Sequence, residues 1–218
     1  MIDPRRTPER SMRRWPISAA VALVLVLQLF LPRQAAIGPA WLMPVAQALL
    51  LVPLVLSDPV RLRREDPVFR RVSLASALGV LLVNGLDLAH LVIGIATGGK
   101  VSAREMIVAA VVIEVTNIVA NTTIFWEIDR GGPFARNPEH PRPSEHPDLL
   151  FPQMANVHDA SFLPCVTDYL FTAFTLATAF SPTDTMPVSP RSKMLFMLGG
   201  TVSVLSLTLV AARAVNLF

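Results

Sequence analysis

The sequence predicts an all-α polytopic membrane protein, a transmembrane helix bundle with six hydrophobic segments. Three observations lead there. Of 218 residues, 52% are hydrophobic and only 16% are charged, whereas a soluble domain carries about a quarter charged residues. The apolar residues run in continuous blocks close to the roughly 20 that a helix needs to cross a hydrocarbon core. The basic residues collect in alternate connections between those blocks. This composition excludes disordered, collagen-like and disulfide-rich classes and argues against a soluble enzyme. A single cysteine, Cys165, leaves no intramolecular disulfide framework and no multi-cysteine metal site.

The segments are Ile17–Leu31, Ile37–Leu56, Val72–Thr97, Met106–Phe125, Ser161–Phe180 and Met194–Phe218. The first is short, bounded by Trp15-Pro16 and by Pro32. The arginines before it resemble the n-region of a signal peptide, but Pro32-Arg33-Gln34 occupies the place of a small-residue cleavage site, so it reads as a retained anchor. The expected organisation is a basic cytoplasmic N-terminus (1–16), a four-helix transmembrane region (17–127), a Pro-rich cytoplasmic loop (128–160) and a channel-like helix-turn-helix module (161–218).

Orientation follows from the basic residues. With the N-terminus inside, the inner side holds Arg5, Arg6, Arg10, Arg13, Arg14, Arg61, Arg63, Arg64, Arg70, Arg71, Arg130, Arg136, Arg142 and Arg213. The outer side holds only Arg33, Lys100, Arg104, Arg191 and Lys193. The expectation is therefore a multi-pass protein of the inner (plasma) membrane with N- and C-termini cytoplasmic. If 161–187 instead enters and leaves from the inside, five spans remain, and the bias toward the inner side persists. Trp15, Trp41 and Trp126 all fall near segment ends, as an interfacial belt requires.

The net charge of +3 points to anionic lipid at the inner leaflet rather than to nucleic acid. Asp58-Pro59-Val60 and Asp66-Pro67-Val68 each open with an N-cap Asp and Pro at the first helical position. Both are followed by arginines, so Arg61, Arg63, Arg64, Arg70 and Arg71 are expected at phosphate depth. Residues 128–160 contain six prolines, which preclude a continuous helix. Their histidines, His140, His146 and His158, match no zinc spacing, so the segment reads as a solvated linker and no metal or cofactor is expected.

Polar residues at membrane depth are functional candidates by default. Asn84, Asp87 and His90 share one face of the third segment; Glu114, Asn117 and Asn121 form a stripe on the fourth. Asp168 stands in the fifth, and Ser203, Ser206 and Arg213 lie on one face of the sixth. One reading is that these stripes hydrogen-bond to each other and lock the bundle. The other is that they line a proton or ion path, which the carboxylates and His90 favour. No phosphate-binding Gly loop, nucleophile elbow or H-E-x-x-H motif is present, so the chain is not expected to be an enzyme. Asp87 and His90, three residues apart, are its nearest approach to an acid–base pair.

Asp168 to Thr178 form an apolar, Thr-studded helix that runs into a polar turn with Asp184, Pro187 and Ser189. This resembles the pore helix, filter and inner-helix start of potassium channels, with Thr175, Thr178, Asp184 and Pro187 matching by type. The family's Gly-Tyr-Gly is absent; Phe180-Ser181-Pro182-Thr183 stands in its place, and Pro182 fixes φ where a carbonyl filter uses glycine. The last hundred residues also resemble a group of uncharacterised bacterial integral membrane proteins. The likeness rests on Asp168 to Thr175, Phe180 to Thr185, Arg191, Val215-Asn216 and the junction Phe125-Trp126-Glu127-Ile128-Asp129-Arg130-Gly131-Gly132-Pro133. That resemblance implies the multi-pass helical fold and no particular activity.

Two functions are therefore expected. The first is channel-like permeation of ions or small solutes, with Thr175, Thr178, Ser181, Thr183 and Asp184 as the polar constriction. A pore built from one such turn per chain requires a homo-oligomer. The second is a non-conducting structural or accessory membrane protein that binds lipid or a partner protein.

Overall fold

The computed structural model describes residues 15–32, 45, 67–97, 102–136, 146–155, 162–179 and 184–215. Helix accounts for 80% of them, which makes the chain all-α in class. The helices are α1 (Trp15–Gln28), α2 (Pro67–Ala96), α3 (Ala103–Ile128), the single turn α4 (Pro152–Ala155), α5 (Val166–Ala179) and α6 (Pro190–Val215). A 3-10 turn, Asp129–Gly131, follows α3 directly. Two short strands, β1 (Leu149–Leu150) and β2 (Met186–Pro187), pair antiparallel, with Leu149 opposite Pro187 and Leu150 opposite Met186.

Among the described residues, three helical stretches are long and apolar enough to cross a membrane: Arg70–Gly94, Arg104–Gly131 and Pro190–Ala212. They correspond to the third, fourth and sixth expected segments. The first segment appears as the shorter α1, and Ile37–Leu56 lies outside the described residues except for Val45. Ser161–Phe180 differs from the six-span reading. Its helix has 14 residues, about 21 Å at 1.5 Å per residue, well short of a hydrocarbon core of about 30 Å.

Local sequence explains the helix starts. Ser102 and Glu105 form a capping box at the head of α3: Ser102 Oγ accepts from Glu105 N at 3.2 Å, and Glu105 Oε2 accepts from Ser102 N at 3.0 Å. Asp168 does half of the same job for α5, its Oδ2 accepting from Cys165 N at 2.8 Å. Asp168 is therefore a capping residue at the mouth of α5 rather than an isolated interior charge.

α3 is the central element, and α1, α2, α5 and α6 all pack on it. The core joins Ile17 and Val24 of α1, Ala77, Val80 and Leu81 of α2, Val119, Ala120, Ile124 and Phe125 of α3, Tyr169, Ala173 and Leu176 of α5, and Phe196 of α6. Phe125 and Phe196 stack at 4.8 Å between centroids. Further along, Leu88, Ile113 and Val202 pack together, and Leu91, Met106 and Ala109 form a second small cluster beside Leu31 and Leu209.

These pairings set the direction of each helix. Arg70, at the start of α2, and Arg191, at the start of α6, both bond to the last turn of α3. α2 and α6 thus start at the end of the bundle where α3 finishes, here called the proximal end. The start of α5 and the strand β2 both lie at this same end. Tyr169 sits beside Asp129, Leu176 reaches the depth of Gly200, and Thr185 has returned to within 3.2 Å of Thr172, oxygen to oxygen. Under the six-span expectation, α6 would begin at the opposite end. Instead α6 begins at the end where α5 also begins, beside the last turn of α3.

Candidate functional site

Two polar assemblies stand out, one inside the bundle and one at its proximal end. The interior one contains most of the polar residues expected at membrane depth. Asn84 of α2 accepts from Thr116 Oγ1 at 3.1 Å, and its amide approaches Ile113 O at 3.4 Å. Asn117 of α3 donates to Gly199 O at 3.1 Å and to Ser203 Oγ at 2.9 Å on α6. Asn121 donates to Asn117 O and Oδ1 at 2.9 and 3.1 Å. All three asparagines are at most 3% exposed. Asn84 joins α2 to α3 and Asn117 joins α3 to α6, while Asn121 bonds back to Asn117 on its own helix. Gly199 permits the second junction: a Cβ there would lie 2.7 Å from Asn121 Nδ2.

The remaining expected residues disperse. Asp87 is buried, but His90, three residues on, is exposed, so this pair is not gathered on one interior surface. Glu114 has both carboxylate oxygens shielded from solvent, with no hydrogen-bond partner. In the expected constriction, Thr175 Oγ1 donates to Thr172 O at 3.0 Å and Thr178 Oγ1 to Phe174 O at 2.9 Å. Both hydroxyl protons are thus taken by their own helix. Asp184 is exposed, and Ser181 and Thr183 lie outside the described residues.

The proximal assembly is one the sequence did not single out as a site. A helix leaves its last four carbonyls without intrahelical partners and carries partial negative charge at that end. At α3, arginines from three elements meet those carbonyls. Arg136, from the loop, donates to Trp126 O at 2.8 Å and approaches Asp129 O at 3.3 Å. Arg70, from α2, donates Nε and Nη2 to Glu127 O at 3.2 and 3.1 Å. Arg191, from α6, donates to Ile128 O at 3.2 Å. The chain turns away through Arg130 (φ 51°), Gly131 (φ 81°) and Gly132 (φ 102°). Gly132 is required twice over: its φ favours glycine, and a Cβ would stand 3.1 Å from Glu127 O and 3.2 Å from Arg70 Nε.

Asp129 anchors the loop to this cap. Its Oδ1 accepts from the backbone N–H of Asp148 at 3.0 Å and of Leu149 at 3.3 Å, and its Oδ2 accepts from Tyr169 Oη at 2.7 Å. Arg136, 2% exposed, lies over the rings of Trp126 and Tyr169 at 5.5 and 5.1 Å. Phe151 meets Tyr169 edge-on at 5.4 Å. Asp148 takes a two-pronged bond from Arg191, Nε to Oδ1 at 2.6 Å and Nη2 to Oδ2 at 2.5 Å, and its carbonyl accepts from Ser192 Oγ and Val188 N, each at 2.9 Å. Burial alone would raise the Asp148 carboxyl. Its bonds from Arg191 and Ser189 outweigh that and hold it below the ordinary aspartate value.

The expectation of a solvated linker over 128–160 is therefore corrected for its described part. Asp129, Arg136, Asp148 and Leu149 are all at most 2% exposed. The local composition is polar and Pro-rich, but Asp129 bonds to Tyr169 and Asp148 to Arg191, and those partnerships carry the chain into the bundle. His146 is exposed, and His140 and His158 lie outside the described residues. Of the arginines expected at lipid phosphates, Arg61, Arg63 and Arg64 lie outside the described residues. Arg71 is exposed, and Arg70 is drawn inward by Glu127 O.

Comparison with family models, with curated proteins and with solved structures gives no match for this chain.

Proposed function

We propose that the chain is a non-conducting, multi-pass accessory protein of the inner (plasma) membrane, with its arginine-rich proximal end on the cytoplasmic leaflet. The observation that carries this reading is the pairing of the interior asparagines. Asn84 with Thr116, and Asn117 with Ser203 and Gly199, engage polar groups across helix contacts. Such bonds hold helices together in lipid, where no hydrophobic force draws one apolar helix to another. Arg71, exposed at the proximal end, suits anionic lipid headgroups. In this orientation the direction of α6 puts the C-terminus outside, in place of the cytoplasmic C-terminus expected from six spans.

Channel-like permeation is the second reading, favoured by one feature: α5 starts at the proximal end, and Thr185 lies back beside Thr172 near that start. Non-helical backbone at membrane depth is tolerated where protein or a water-filled cavity surrounds it. Liposome flux separates the two. The accessory reading expects purified protein in anionic vesicles to pass small cations no faster than protein-free vesicles. A cation flux that Asp184→Ala alters would replace it with the channel reading.

A further inference from the structure

Glu114 stands near the middle of α3, and both its carboxylate oxygens are out of reach of solvent and without a hydrogen-bond partner. The interior asparagines have a structural explanation: each bridges two helices or two turns. Glu114 stands on α3 between Ala110 and Asn117, the two residues that meet Ser206 and Ser203 of α6, so both hydroxyls face its carboxylate. Ser203 Oγ accepts from Asn117 Nδ2 at 2.9 Å, which leaves its second lone pair and its proton to face Glu114. Ser206 Oγ is only loosely held, 3.5 Å from Ala110 O. Both serines are fully buried.

A bare carboxylate in a low-dielectric interior is strongly disfavoured and demands a neutralising partner. Among the described residues no basic side chain pairs with Glu114. Asp87 of α2, the other buried carboxyl on an element packed against α3, has the wrong sign. Beside its own carboxylate stand two hydroxyls, those of Ser203 and Ser206. Hard cations take oxygen ligands of this kind, and a single carboxylate balances a single positive charge.

We propose that Glu114, Ser203 and Ser206 form an intramembrane site for one monovalent cation, a sodium ion or a proton, between α3 and α6. Occupancy neutralises the carboxylate and ties the two helices together at the level where Asn117 also joins them. The site does not depend on whether the protein conducts.

The test uses the full-length protein in mild detergent and a hydrophobic carbodiimide, which adds to protonated carboxyls buried in apolar surroundings. The adduct is located by peptide mass spectrometry. Labelling at Glu114 that sodium suppresses, and choline does not, supports a sodium site. Sodium at ten times its Kd should lower the free fraction about tenfold, and Ser203→Ala with Ser206→Ala should weaken that protection. Labelling at Glu114 that ignores sodium and falls as pH rises supports the proton as the occupant. Absence of label on Glu114 at every pH and without sodium, while an unfolded control is labelled, overturns the proposal. So does sodium protection left unchanged by both serine substitutions. Glu114→Gln supplies the specificity control.

Discussion

The Tyr169 hydroxyl donates to the Asp129 carboxylate at 2.7 Å, across 40 residues of sequence. That bond fixes the mouth of the short helix α5 to the end of the central helix α3. The other oxygen of Asp129 holds the backbone of Asp148 and Leu149, so one side chain organises α3, the loop and α5 together. Tyr169→Phe should therefore lower stability by about 1–3 kcal/mol, the range for stranding a buried acceptor. Asp129→Ala should cost more, because two loop N–H groups lose their acceptor as well. Denaturant titration in detergent checks the order; equal stability of Tyr169→Phe and the parent protein would refute it.

Arg191 and Asp148 give a prediction with a pH signature. Asp148 is held below its ordinary value in the folded chain, so the unfolded chain binds its proton more readily. The stability from this pair is present above the ordinary aspartate value, near pH 4, and is lost as pH falls through the lower folded value. Arg191→Ala should reduce stability by about 1–3 kcal/mol at neutral pH, allowing for the partial exposure of the arginine, and flatten the acid limb of the profile. Arg191→Lys should recover little, since a lysine cannot present the two-pronged donor geometry. Unfolding followed between pH 3 and 7, an interval bracketing that value, checks both.

Gly199 lets α6 approach the Asn117–Asn121 stripe. A methyl at Gly199 would fall 2.7 to 3.0 Å from three atoms of the Asn121 amide. Gly199→Ala should cost about 1–3 kcal/mol through overpacking, while Gly94→Ala, where a Cβ meets nothing within 4 Å, should be close to neutral. A thermal shift of similar size in both variants would contradict the close-approach account.

The common starting end of α5 and α6 predicts sidedness. In a Cys165→Ser background, single cysteines at positions 146 and 188 should label from the same face of the membrane, and one at position 212 from the opposite face. Impermeant thiol reagents on oriented vesicles or spheroplasts decide it. Labelling of 146 and 188 from opposite faces would restore the six-span arrangement.

The apolar blocks and the asparagine stripes were legible because each is a local pattern. A helix crossing lipid needs a long run of apolar residues, and residues three, four and seven apart share a face. Asn84, Asn117 and Asn121 could be placed on interior faces from spacing alone, whereas the partners of each, such as Gly199 for Asn117, could not. For Ser161–Phe180 hydropathy was ambiguous. An apolar helix of 14 residues flanked by apolar chain reads like a span until the bond from Arg191 to Ile128 O shows where the next helix begins.

By itself, then, the sequence determined the helical class, the apolar segments and the asymmetry of their basic flanks. All of these depend on hydropathy and charge summed over neighbours in the chain. Only the tertiary structure decided that α5 and α6 both start beside the end of α3, and that the loop around Asp129, Arg136 and Asp148 is packed against the bundle rather than solvated. The physical reason is the range of the interactions. Asp129 with Tyr169, Asp148 with Arg191 and Arg70 with Glu127 are separated by 40, 43 and 57 residues. Polar groups buried at such separations satisfy each other by geometry, and no local period in the chain encodes which ones will meet.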